Sequence, residues 1–342
     1  MRTAEDSQPR RLEPASEWRR DDVADPEIWT VTFDDDERNE LDAALRSALQ
    51  TSRDILDLGA EHFPLETLSG RLVEVSNELI NGRGFVRLRG IERDRYTTSE
   101  MELLYWGIGS HLGAPWAQNK HGHVLGDVID QGRAFDDPTA RGNELGGVAL
   151  PFHCDGSDLV GLMCLQNGRS GGLSLVANSV TIHNRMVDEA PDLAAELYRA
   201  QPNDYRGEQP PGRAGWYALP VFTEWDDRLF VRCIPPYIHT SQRHTDAPRL
   251  TDAARAGLEL LVEWANDSSH HVAMALEPGD IQLINNYHVM HGRTAYEDDT
   301  ASGSVRHLKR LWLESPMLAS RPEHFANGTF RHWESKRSVS TL

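Results

Sequence analysis

The chain predicts a single α+β domain with a closed or sandwiched β core, on three observations. Amphipathic helical patterns dominate its first third. Short strand-like runs between glycine-rich turns follow from about Gly113 onward. The composition is that of an ordinary globular protein, 39% hydrophobic and 26% charged. At 342 residues the chain can bury one substantial core. It carries no internal repeat and no low-complexity tract.

The elements follow in order. Residues 1–25 are polar and proline-containing and read as a flexible N-terminal arm, with cover for a partner subunit in a homo-oligomer as the open alternative. Residues 26–342 then form the single domain. Trp29 to Phe33 alternates like a strand. Asp34 to Glu37 places acids at a helix start, and Leu41, Ala44, Leu45 and Leu49 continue that helix. Leu68, Leu72, Val75 and Leu79 recur at helical spacing within Leu65 to Ile80. Phe85 to Leu88 is a strand, and Thr98 to Leu112 a third helix. Val124 to Ile129, Val148 to Phe152, Leu159 to Leu165 and Leu173 to Ala177 are candidate strands. Ser179 to Ala200 is helical, interrupted at Pro191. Residues 201–215, rich in Pro, Gly and Arg, read as a lid-like surface insertion. Tyr217 to Phe222 and Arg228 to Ile234 flank a turn, and Thr251 caps a helix to Ala265.

The formal net charge is -18. That excludes a general nucleic-acid or anionic-membrane surface but permits a small anionic substrate, which needs only a local arginine pocket. The three cysteines, Cys154, Cys164 and Cys233, have no metal-like spacing and suit free thiols in a reducing compartment. No apolar run reaches membrane-spanning length and no signal-peptide core opens the chain, so a cytoplasmic location is expected.

The chemistry concentrates in two places. Gly279 to Glu314 holds a strand-like run, a short segment ending at His291, a polar loop, and a second run in which Arg306, Leu308, Arg310 and Trp312 share a face. Two arginines on an apolar face call for an anion to meet them. In Pro151 to Gly156, His153 and Asp155 project to the same side of an extended backbone, with Cys154 turned away. A His-x-Asp pair plus a distant His is the ligand set of a 2-His-1-carboxylate triad, which leaves three adjacent metal positions open. His288 also neighbours His291, but alternation puts it on the opposite face. Asn285 and Asn286 suit turn backbone groups, and Arg293 suits a structural bond to a carbonyl or an acid.

A His-x-Asp pair alone means little in a chain with fifteen histidines. The order of motifs gives it meaning. His153-Cys154-Asp155, Gly171-Gly172-Leu173-Ser174, Pro278-Gly279-Asp280, Asn285-Asn286, His291-Gly292-Arg293 and Arg306-His307-Leu308-Lys309-Arg310 together resemble the taurine dioxygenase and clavaminate synthase-like family of iron(II)/2-oxoglutarate-dependent oxygenases. The resemblance covers roughly Phe85 to Leu313. It implies a double-stranded β-helix, a jelly-roll or cupin-like barrel with flanking helices. It implies iron on His153, Asp155 and His291, and 2-oxoglutarate held by Arg306 with a hydrogen bond from Ser174. Arg310 stands where family members often meet an acidic group of the substrate.

The implied activity uses O2 to oxidise an unactivated C–H bond of a small carboxylate, sulfonate or amino acid, with 2-oxoglutarate converted to succinate and CO2. Hydroxylation leads, with desaturation or cyclisation open. An acidic ligand at Asp155 argues against halogenation, which needs that position vacant. Trp116 and Gln118, with Asn119, follow the third helix where relatives often line the pocket, and Arg232 and Tyr237 lie near the long loops. Two other classes stay in view. A non-catalytic jelly-roll binding protein would usually lose a ligand or the anchoring arginine. A zinc-dependent hydrolase would leave Arg306 without a role.

Overall fold

The computed structural model describes residues 9–13, 16–134, 136–326, 333 and 336–340. The first helical layer forms for local reasons. In α1 (Asp35–Gln50), the Asp34 carboxylate accepts from the Glu37 amide at 2.9 Å while Glu37 accepts from the Asp34 amide at 2.9 Å, so two free donors of the first turn are met reciprocally. The helix α2 (Leu68–Asn81) stops at Gly82, and α3 (Thr98–Leu112) is capped by Thr97 with Glu100. Leu41, Leu45, Leu68, Leu72, Leu104 and Trp106 of these helices are buried in one core.

That core covers the larger of two sheets. Its strands are β1 (Thr30–Thr32), β2 (Phe85–Arg89), β3 (Ala114–Pro115), β4 (His123–Val128) and β6 (Leu159–Gln166), followed late in the chain by β14 (Ile281–Asn285), β17 (His307–Glu314) and β18 (Ser338–Val339). They run in the order β1-β2-β14-β6-β17-β4-β18, with β3 on β17. The smaller sheet contains β5 (Leu150–His153), β8 (Ser174–Asn178), β13 (His271–Met274) and β15 (Val289–Arg293), in the order β13-β8-β15-β5. Short pairs complete the strands: β7 (Ser170–Gly171) with β16 (Tyr296–Glu297), β9 (Ala200–Asp204) with β10 (Trp216–Pro220), and β11 (Phe222–Trp225) with β12 (Arg228–Val231). The helices α4 (Ser179–Glu189), α5 (Pro191–Leu197), α6 (Pro235–Thr240) and α7 (Asp252–Asn266) precede the last short one, α8 (Glu323–Ala326). Side chains of α4, α5 and α7 join those of the smaller sheet in a second core that includes Phe152, Cys154, Met186, Leu197, Leu258 and Trp264.

The two sheets meet through polar contacts as well as apolar ones. Ser174 of the smaller sheet donates to Gln282 of the larger at 2.7 Å. Strand alternation sorts the charges of β17. Arg310 points to the gap between the sheets, and Lys309 points to the helical side, paired with Glu102 and Asp127 at 2.6 Å each.

Two expectations meet a different structure. Residues 201–215 are not loop throughout: Gln201–Asp204 belong to β9, where Asp204 lies opposite Trp216, and only 205–215 remain as the connection. Alternation is poorly legible there because Gln201, Asn203 and Asp204 are polar yet buried. The arm is laid down in its described part. Leu12, Trp18 and Val23 are buried, and the Leu12 amide donates to Asn184 at 2.8 Å. Residues 1–8 and 14–15 of the arm lie outside the described residues. Among the described residues, no helix is long and apolar enough to cross a membrane.

Candidate active site

Register builds the centre. β5 and β15 pair antiparallel with His291 opposite His153, and cross-strand partners project to one face. The two imidazole rings stand 4.2 Å apart between centroids. Asp155 follows β5 and turns back to them. Its Oδ1 lies 3.9 Å from His153 Nε2 and its Oδ2 lies 3.9 Å from His291 Nε2. The three ligand atoms fall within 4.8 Å of one another, a spacing that one metal ion spans. His288 is elsewhere, with its Nε2 at 3.2 Å from the Ser16 carbonyl.

The protonation states suit a metal. His153 Nδ1 sits 2.9 Å from the Pro151 carbonyl, so that nitrogen carries the proton and Nε2 offers its lone pair to the centre. Burial lowers the pKa of both imidazoles, His291 to about 3. Burial alone would raise the Asp155 carboxyl, but Arg310 foremost, then His291 and His153, holds it well below the usual range. Neutral histidines and an ionised aspartate are what ferrous iron binds.

The loop carrying Asp155 is clamped. Asn286 accepts from the Asp155 amide at 2.6 Å and donates to the carbonyls of Asp155 and Ser157 at 2.7 and 2.8 Å. Arg232 donates to the carbonyls of Cys154 and Asp155. Asp155 Oδ2 accepts from Arg310 Nη1 at 3.0 Å and from the Trp312 indole at 3.1 Å. Oδ1 has no donor among the described residues and is the oxygen left for a metal. Cys154 turns to the second core, where burial raises its thiol to about 12.

The centre opens on a cavity of about 340 Å³, within the size range of small-molecule pockets. Arg306 and Ser174 line one part of it. Arg306 is buried and its Nη1 has no hydrogen-bond partner, an expensive state that an incoming anion would relieve. The glycine pair upstream makes room for it. Gly172 sits at φ +71°, and a Cβ there would lie 2.8 Å from Arg306 Nε. Gln282 Nε2 is likewise buried and unpartnered.

The expected substrate contacts divide. Arg310 lines the cavity, with its Nε committed to Gln118 at 2.8 Å. Trp116 and Gln118 do not line it. Trp116 packs in the helical-side core. Gln118 is buried, donating to the carbonyls of Val124 and Arg310 at 2.8 Å each, and so acts by holding Arg310. Arg293 donates to the carbonyls of Leu145 and Val148.

Sequence reasoning did not single out Gln282, Trp312 as a donor, or Arg141. Gln282 carried a usable signal, a polar side chain inside an otherwise apolar central strand. Arg141, in an irregular loop, carried none.

Comparison with known proteins places the chain. It is 32% identical over 301 residues to FR-33289 synthase of Streptomyces rubellomurinus, covering 87% of this chain and 88% of that one. A crystal structure of asparagine oxygenase has the same fold, with a TM-score of 0.65, 17% identity, and coverage of 84% of this chain and 93% of the other. So does the non-heme iron oxygenase OrfP in complex with Fe and alpha-ketoglutaric acid, with a TM-score of 0.59, 19% identity and coverage of 84% and 93%. The two facing sheets are those of a double-stranded β-helix. The profile of the taurine catabolism dioxygenase TauD, TfdA family matches residues 47–312, and the chain belongs to that family.

Proposed function

We propose that the chain is an iron(II)/2-oxoglutarate-dependent dioxygenase that hydroxylates an unactivated C–H bond of a small acidic molecule. His153, Asp155 and His291 hold the metal in this reading, and Arg306 holds 2-oxoglutarate. The observation that carries it is the pairing, in one cavity, of a convergent His–Asp–His set with a buried arginine whose Nη1 lacks a partner. A family dioxygenase and the iron and alpha-ketoglutaric acid bound by OrfP support it. When bound, iron and 2-oxoglutarate supply the oxidant from O2, and 2-oxoglutarate leaves as succinate and CO2.

The protein's own groups prepare that chemistry. Arg306 meets a carboxylate with its planar fork. Ser174 lines the cavity with Arg306, and its hydroxyl, which donates to Gln282 at 2.7 Å, would turn to the same carboxylate. Arg310 and Trp312 fix Asp155 through Oδ2. The Leu150, Leu162 and Ile234 side chains wall the cavity and limit water at the reacting carbon. A hydrolase reading gives the Arg306 donor nothing to do.

The test is 2-oxoglutarate binding to the anaerobic ferrous protein, followed by succinate release with a panel of small acids. Arg306→Ala loses one charged pairing, about 1.5–3 kcal/mol, so affinity falls roughly 10- to 150-fold. A wild-type protein that binds 2-oxoglutarate no better than Arg306→Ala overturns the reading.

A further inference from the structure

Five arginines line this cavity: Arg141, Arg206, Arg293, Arg306 and Arg310. Their neighbours separate them into two ends. Arg306 lies among Tyr296, Cys164 and Asp298. Arg141 lies among Glu208, Tyr237, Asp155 and Glu144, and shares none of those. Arg310 feels both Arg141 and Tyr237. Arg293 belongs to the Arg306 end, beside Arg306 and Tyr296, and donates through Nη2 to two carbonyls. One cationic end is therefore left over once 2-oxoglutarate is assigned to Arg306.

We infer that Arg141 and Tyr237, with the Nη2 of Arg310, form a subsite for an oxyanion head group on the primary substrate. This rests on the oxygenase reading for the identity of the substrate as a reactant, but the subsite is defined by its own atoms.

Arg141 donates through Nη1 to Glu208 at 3.0 Å, and its Nε and Nη2 have no partner among the described residues. Arg310 uses Nε and Nη1 and keeps Nη2. The Tyr237 hydroxyl likewise has no partner among the described residues. Donors from three separate segments line the cavity that His153, Asp155 and His291 also line, an arrangement that favours an acceptor with several oxygens. The charges favour it too. Glu208 balances Arg141, and Asp155 balances Arg310 only until Asp155 gives its charge to a metal. Burial opposes the charge on Arg141, and Glu208, ahead of Tyr237 and Asp155, more than restores it.

The subsite is a built one. Arg206 is held at φ +55°, a conformation uncommon outside glycine. From there its guanidinium donates to the carbonyls of Asp137 and Ala140, immediately before Arg141, and stacks over the Tyr237 ring at 5.0 Å. One residue thus orders both members. Val128, Leu145 and Pro236 complete the wall, so the ligand joins an oxyanion to a short apolar body. The oxyanion is a carboxylate, sulfonate or phosphonate, and the experiment separates them.

Ethylphosphonate, ethanesulfonate and propionate are titrated calorimetrically into the full chain with iron(II) and 2-oxoglutarate under anaerobic conditions. At least one binds. Arg141→Gln weakens that probe about tenfold or more, and Arg141→Lys recovers part of the loss. The 2-oxoglutarate affinity of Arg141→Gln stays within about twofold of wild type. Glu208→Gln frees Arg141 and tightens the probe about threefold, which a purely structural ion pair would not do. The subsite is overturned if no probe binds, if Arg141→Gln binds as wild type, if Glu208→Gln weakens binding, or if the probe displaces 2-oxoglutarate. The oxygenase reading fails separately, through absent 2-oxoglutarate binding. The same probes against metal-free wild type and Arg141→Gln then still decide the subsite.

Discussion

At the scale of single residues, the centre depends on how Asp155 is held. Its carboxylate is aimed by Arg310 and Trp312, and its backbone is gripped by Asn286 and Arg232. Asn286 makes three bonds to the buried loop. Asn286→Ala strands those groups, so a loss of about 2–4 kcal/mol is expected in urea unfolding. Metal affinity should fall as well, roughly 10- to 100-fold, because Asp155 loses its support. A variant of unchanged stability in urea would show that water replaces the amide. The Asn-Asn pair was legible in the sequence as turn chemistry, and Asn286 does bond backbone groups. That those groups belong to the loop carrying Asp155 was not legible, since Asp155 lies 131 residues away.

Among elements, the β5–β15 pairing matters most. It places His291 opposite His153, and the register shifts between His291 and Arg293. Gly292 sits in that irregularity. A Cβ there would lie 3.0 Å from the Leu150 carbonyl, so β5 must give way by a few tenths of an ångström. Gly292→Ala is expected to cost about 1–3 kcal/mol in thermal or urea unfolding and to weaken metal binding by moving His153. Metal binding equal to wild type would mean that β5 yields without carrying its histidine. The strands were largely legible because period-2 alternation is local. The pairing order was not, because β15 lies between β8 and β5, strands that precede it by more than a hundred residues.

For the whole molecule, buried histidines contribute to the loss of stability in acid. Burial lowers His183 and His288 to about 4, from an ordinary value of 6.5. Between those values the unfolded chain binds the proton and the native one does not, so stability falls as pH drops from 6.5 towards 4. Each accounts for about 2 kcal/mol between pH 7 and 4.5. Urea midpoints measured across that range should fall less steeply for His288→Gln than for wild type. Equal slopes would refute a neutral buried His288. Ligands act in the other direction. Iron with 2-oxoglutarate should raise the unfolding free energy by about 2.7 kcal/mol at a hundredfold excess over Kd, and the midpoint with it, and chelator should reverse it. A midpoint indifferent to both would count against the metal site.

Much of the chemistry could be read directly from the chain. The His-x-Asp pair, the distant histidine, the glycine pair and the two late arginines are recognisable because each is a short pattern with a local backbone meaning. The helix caps at Asp34 and Thr251 are legible for the same reason. Only the tertiary structure decided which arginine is committed and which keeps a free donor. Arg310 is drawn to Asp155 and Gln118, 155 and 192 residues away, while Arg306 keeps an unmet donor and Arg141 faces Glu208 across 67 residues. A guanidinium's task is set by the acceptors brought beside it, and that is a property of the folded packing rather than of any stretch of sequence.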